Sequence, residues 1–193
     1  MDNQRKKSGH GKDSGTEESR HGLPPQKFRE LVFQMLYTYT QGPYQEETLI
    51  PLFANELRVS KKVAKDAQER VRQLLPHLPE IDALISETSH SYAFERIQTV
   101  EKNILRLGMF ELFYDSSVPK KVAIAEAKRL AKKFGTNASA SFVHALLDAA
   151  YQKRLGKNVD PQDLAQSADE LEKTEKHAEE MQQEESSGEQ PSI

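Results

Sequence analysis

Between Phe28 and Ala150 the large apolar side chains return every three or four residues, segment after segment, and never alternate as a half-buried strand would. That period places them along one stripe of a helix. Phe28, Leu31, Val32, Met35, Leu36 and Tyr39 define a first helix, stopped by Gly42-Pro43. A second is expected from about Glu46 to Leu57, with Leu49, Leu52, Phe53 and Leu57 inward. Ser60 is placed to cap a third, in which Val63, Ala67, Val71 and Leu74 or Leu75 keep the period. Pro76 and Pro79 break that helix, and a short fourth covers Ile81 to Glu87. The fifth runs from about Phe94 to Leu112 or Tyr114 and packs Ile97, Ile104, Leu107 and Leu112.

Asp115-Ser116-Ser117 then breaks the chain, and Pro119 stands where a first helical turn accepts proline. The sixth helix buries Ala123, Ala127, Leu130, Ala131 and Phe134, with Gly135 as a left-handed stop. Asn137 or Ser139 caps the last, which turns Phe142, Val143, Leu146, Leu147 and Ala150 inward. The fold class is therefore all-α, a compact helical bundle of about six to seven helices.

The ends differ from this body. Hydrophobic residues make up only 36% of the 193 residues and the mean hydropathy is -0.74, a deficit concentrated at the two termini. Residues 1–24 are basic and polar, and 157–193 hold eleven acidic residues against three lysines. Neither has the apolar surface to offset ordering entropy, so both read as mostly disordered tails around a single domain, 25–156. The formal charge of -3 hides a split, since the acidic tail accounts for -8 and the rest of the chain carries +5. Such a body suits an anionic partner, with the tail competing for the same surface. It equally suits an ordinary solvated surface with a solubilising tail.

Several chemistries find no residues to run them. The chain has no cysteine, which excludes disulfides, thiolate catalysis and cysteine-ligated metals. Its six histidines are scattered, with no pair at metal-ligand spacing, and no phosphate loop or nucleophile elbow is present. No cofactor, metal or catalytic residue is expected. The chain shows neither an apolar run near the roughly 18 residues of a membrane span nor a secretory signal core, so a cytoplasmic protein is expected.

Nucleic-acid binding is the better chemical candidate. Basic residues gather at Arg5-Lys6-Lys7, Arg20, Lys27, Arg29, Lys120-Lys121, Lys128-Arg129, Lys132-Lys133 and Lys153-Arg154. Cations of this kind attract phosphates, and aromatics beside them stack unpaired bases. Tyr37 lies off the buried stripe of the first helix, with its ring facing either solvent or the second half of the bundle. On pattern alone Phe142 begins an apolar stripe and belongs to the core, and the lysines of the sixth helix form a solvated face.

From Val100 to Asp148 the details become specific. Val100-Glu101-Lys102, Ile104-Leu105-Arg106, Glu111-Leu112, Val118-Pro119 and Lys121-Val122-Ala123-Ile124 follow in order. Glu126-Ala127, Leu130-Ala131-Lys132, Phe134-Gly135, Phe142-Val143 and Leu147-Asp148 complete the succession, and Leu36-Tyr37 stands upstream. Over about 25–155 the chain resembles the NusB family of transcription antitermination factors. The resemblance implies two packed helical subdomains without enzymatic activity. It also implies binding of boxA-type nascent RNA together with NusE, a small-subunit ribosomal protein. Other Nus factors and RNA polymerase would complete the assembly, which suppresses premature termination, notably in ribosomal RNA transcription. Carried over by motif, RNA contact falls on Lys27, Arg29, Tyr37 and Phe142.

The chain departs from the family pattern in places. Leu23-Pro24-Pro25-Gln26 stands where relatives run several arginines together. Ile124-Ala125-Glu126-Ala127 replaces Ile-Asn-Glu-Ala, and Phe142-Val143-His144-Ala145 replaces Phe-Val-Asn-Gly. These changes leave open two alternatives: an interaction module with weakened RNA binding, or a non-catalytic partner of a ribosomal RNA methyltransferase. Self-association as a homodimer is also left open.

Overall fold

The computed structural model describes residues 22–42, 46–89, 92–157 and 161–188. Eight α-helices are found among them, and no strand: α1 (Pro25–Gln41), α2 (Glu46–Glu56), α3 (Lys61–Leu74), α4 (Leu78–Thr88), α5 (Thr99–Phe113), α6 (Lys120–Phe134), α7 (Asn137–Arg154) and α8 (Pro161–Gly188). The first three pack on one another, α4 to α7 form a second group, and α1 lies against α5 to join them. One apolar core runs through both groups. No described helix is long and apolar enough to cross a membrane.

Local chemistry explains most of the boundaries. Pro25 sits in the first turn of α1, where a missing N–H costs no helical bond. The helix thus starts three residues before the first apolar residue of its stripe. Ser60 caps α3 by accepting from the Val63 N–H at 3.2 Å. Leu75–His77 form a 3-10 turn, and Pro79 lies in the first turn of α4 instead of breaking a helix.

On α2 only Leu49, Phe53 and Ala54 are buried, whereas Leu52 and Leu57 are exposed, contrary to the expected stripe. The helix packs mainly on α3, so only a narrow face is covered, and Leu57 falls past its last residue. Phe134 is half-buried instead of fully inward.

At the centre, α5 buries Ile104, Leu105, Leu107, Met109, Phe110 and Leu112. Gly108 lets its neighbours close in: a Cβ there would meet Leu147 Cδ1 at 2.8 Å and Ala127 Cβ at 3.2 Å. The stop after α6 is not the left-handed glycine expected, because Gly135 has φ -128° and ψ -132°. Space, not φ, demands glycine here, since a Cβ would stand 2.8 Å from Ser139 Oγ and 3.0 Å from the Ala131 carbonyl. Thr136, not Asn137 or Ser139, is the N-cap of α7. It accepts from the Ser139 N–H at 3.0 Å while Ser139 Oγ accepts from the Thr136 N–H at 3.0 Å.

The acidic C-terminal stretch is helical over Pro161–Gly188 and packs against α7. Leu164, Ala168 and Leu171 follow one another at i, i+4 and i+7 and are buried. That stripe is thin, but α7 supplies the partner that a lone helix would lack. The Arg5-Lys6-Lys7 cluster and Pro43 lie outside the described residues.

Candidate nucleic-acid interface

Two clusters of charge and aromatic surface surround the helices that the sequence marked. The first joins the N-terminal half of α1 to α5 and α6. Arg29 is buried, and its Nε donates to both oxygens of Glu111 at 2.9 and 3.1 Å. One of its terminal nitrogens lies 3.9 Å from Glu126. Arg129 donates to Glu30 at 2.7 Å, to Glu126 at 3.0 Å and to the Gln26 carbonyl at 3.1 Å. Lys133 and Lys27 reach the other Glu30 oxygen at 2.6 and 3.1 Å.

Burial opposes ionisation of Glu30, but the bonds from Lys133, Arg129 and Lys27 prevail and hold its pKa at about 2. At Glu111 burial wins over the pull of Arg29 and lifts the carboxyl above its ordinary value. These cations therefore tie helices together before they serve any ligand. Arg29 is the clearest case. Its guanidinium is committed to two carboxylates and almost sealed from solvent, so it positions α1 on α5 instead of presenting itself to a phosphate. Lys27 remains 60% exposed on its side chain and pairs with Glu30. The sequence signal for this network was weak, because Glu30, Glu111 and Glu126 look like solvated helix carboxylates.

The second cluster surrounds the first turn of α5. Tyr37 is half-buried with its ring 6.3 Å from Phe33, and Phe33 lies 4.8 Å from Phe134 at the end of α6. Lys133 Nζ sits 5.3 Å from the Phe134 ring. The Thr40 hydroxyl donates to the Tyr37 carbonyl at 2.9 Å and accepts from Asn103 Nδ2 at 2.9 Å, linking the end of α1 to α5. Beside Asn103, Lys102 Nζ lies 4.7 Å from the Phe94 ring, and the Arg96 guanidinium lies 5.0 Å from Tyr92. Cations over aromatic faces at these distances gain quadrupole attraction; Phe94 and Lys102 are half-buried and Arg96 is exposed, whereas the Tyr92 ring is buried.

At the neighbouring α6–α7 turn, Glu101 is almost wholly buried and places one oxygen beside Gly135. Its Oε2 has no hydrogen-bond partner within the described residues, an acceptor close to the positive end of α7.

The structure does not gather the four expected contact residues into one place. Ten residues of α1 separate Lys27 from Tyr37, about 15 Å along the axis and roughly 80° around it. Phe142 has no exposed surface and stands edge-on to Tyr92 at 5.6 Å. It backs the Tyr92 ring from within the core, the place that its apolar stripe suggested. Ala125 and His144, the two positions that depart from the family motifs, are both exposed, so neither builds the packing between α6 and α7. Sequence reasoning missed Tyr92, Phe94, Arg96 and Lys102. Two aromatics and an arginine within five residues, between helices, were the available signal.

The model of the NusB family matches residues 26–152. The chain belongs to the NusB family. It is 38% identical over 126 residues to the transcription antitermination protein NusB of Chlamydia pneumoniae, covering 65% of this chain and 79% of that protein. To the Myxococcus xanthus NusB it is 45% identical over 124 residues, covering 62% and 89%. Among solved structures it resembles T. maritima NusB with a TM-score of 0.59 and 28% identity, over 73% of this chain and 96% of that one. A crystal structure of the antitermination factors NusB and NusE in complex with double-stranded RNA gives a TM-score of 0.58 and 26% identity, covering 66% and 96%. The NusB match ends before α8, which lies outside the matched residues.

Proposed function

We propose that this NusB-family chain is a non-catalytic antitermination factor. It binds boxA-type nascent RNA together with NusE in the cytoplasm and suppresses premature termination with other Nus factors and RNA polymerase. The observation that carries the reading is the pairing of Phe94 with Lys102 and of Tyr92 with Arg96 at the start of α5, to which the Tyr37 end of α1 is tied through Thr40 and Asn103. Cations there hold the RNA backbone while the half-buried rings of Tyr37 and Phe94 offer stacking surface to unpaired bases. The structurally similar complex held double-stranded RNA. Half-buried aromatics, however, favour single strands, since the deep major groove of an RNA helix hides its base edges. Lys27 and the exposed Lys121, Lys128 and Lys132 extend the positive surface along α1 and α6.

The contact set thus shifts from the one the family motif implies. Lys27 and Tyr37 stay as RNA contacts, whereas Arg29 and Phe142 support the surface from behind it. The test is a titration of labelled single-stranded and duplex RNA with the wild-type protein and the Lys102→Ala and Arg96→Ala variants. Single-strand preference that weakens in both variants, at unchanged melting temperature, supports the proposed surface. Equal binding of duplex and single strand, insensitive to both changes, refutes it.

A second reading has its own support. Arg29 is consumed by Glu111, and an acidic helix stands close to Arg96. Both favour an interaction module that keeps the NusE-type partner and binds RNA weakly. NusE binding without selective RNA binding would choose that reading.

A further inference from the structure

The helix α8 carries nine acidic residues and two lysines, and its contacts with the rest of the chain include an apolar and a polar set. Leu164, Ala168 and Leu171 bury an apolar stripe against α7. At the next residue Glu172 pairs with Arg96 at 2.7 Å, and one turn beyond Leu171 Glu175 Oε2 accepts from the Tyr92 hydroxyl at 2.9 Å. Arg96 and Tyr92 are the same cation–aromatic pair that stands at the edge of the proposed RNA surface. A carboxylate held by an arginine fork takes the place and hydrogen-bond geometry of a phosphate oxygen. Beyond this point Met181 is 52% exposed, so the apolar anchoring of α8 stops about where its carboxylates reach Arg96.

We propose that α8 is a built-in competitor of RNA: Glu172 and Glu175 occupy in cis the Tyr92–Arg96 site that an RNA phosphate takes once α8 lifts. The inference rests on the RNA-binding reading above and adds a regulation of that same surface. Its energetics suit a reversible latch. The Arg96 side chain is 52% exposed, and an exposed pair of this kind is a weak tie that salt loosens. The apolar stripe keeps α8 local, so its carboxylates act at a high effective concentration on Arg96.

The experiment uses the full chain in three forms: wild type, Glu172→Gln with Glu175→Gln, and a control pair, Glu170→Gln with Glu180→Gln. The control removes the same charge at exposed positions of α8. Each form is made with and without Arg96→Ala and titrated with fluorescein-labelled single-stranded boxA-type RNA at low and at physiological salt. Amide hydrogen exchange follows residues 164–175 in parallel.

The first pair should tighten RNA binding about two- to fivefold at low salt, the control pair less, and the gain should vanish with Arg96→Ala. RNA should also speed exchange in α8. Equal gains from both pairs would make the effect bulk charge and overturn the inference. RNA binding that ignores both pairs and leaves α8 protection unchanged would overturn it too, leaving the RNA reading intact. No RNA binding by any form, even with NusE added, would overturn that reading and the inference with it.

Discussion

Tyr37 and Phe142 show how differently two residues of one motif set act. Tyr37 keeps ring surface available, so Tyr37→Ala should weaken single-stranded RNA binding by roughly 1–3 kcal/mol, the usual range for one stacked base. Titration against a matched melting curve checks this, because a loss explained by stability would remove Tyr37 from the interface. Phe142 is entirely enclosed, and Phe142→Ala should cost about 3–5 kcal/mol of stability, visible in denaturant unfolding. Glu30 sets an acid sensitivity. Its folded pKa of about 2 lies below the ordinary 4.5, so its stabilisation is complete above pH 4.5 and is lost as pH falls through 2. Glu30→Gln should remove ~1–2 kcal/mol at pH 6 and flatten the decline from pH 5 to pH 2, as read by urea midpoints. The sequence made Phe142 legible as core through its stripe. It could not reveal that Glu30 and Glu111 tie α1 to α6 and α5, because those cross-helix pairs lie 82 to 103 residues apart and leave no local pattern.

Helices were legible where both period and punctuation agreed. Ser60 and Pro119 marked their starts, and the inward residues expected on α7 are all buried, joined by Ser139, Ala140 and Ala149. Elements whose burial depends on a distant partner were harder to read. On α2 a single neighbour covers only part of the apolar residues, and α8 has a stripe that becomes useful only on α7. Gly135 was recognised as a stop for the wrong reason, since crowding by Ser139 and Ala131 cannot be inferred from a local turn rule. Two predictions follow from these elements. Thr136→Ala should remove the cap of α7 and cost about 1 kcal/mol in thermal or chemical unfolding. Within α8, amides from Leu164 to Glu175 should exchange more slowly than those after Lys176, because only the first part is anchored by apolar contacts and Arg96. Uniform exchange along α8 would contradict the division.

Across the molecule, charge and fold answer different questions. The bundle follows from apolar periodicity alone, and the NusB match over residues 26–152 agrees with it. The surface charge of +5 outside the tail overstated the free cations, since Arg29, Arg129 and Lys133 are spent on carboxylates. What remains for RNA is a modest set around α5, with the acidic α8 beside it. The most direct test is fluorescence anisotropy of a short boxA-type RNA, titrated with this protein alone and with NusE at two salt concentrations, against a scrambled RNA. The account predicts selective binding that NusE strengthens and that weakens with salt at about 0.7 log units per neutralised phosphate for each tenfold increase. Binding that ignores sequence, salt and NusE alike would contradict it.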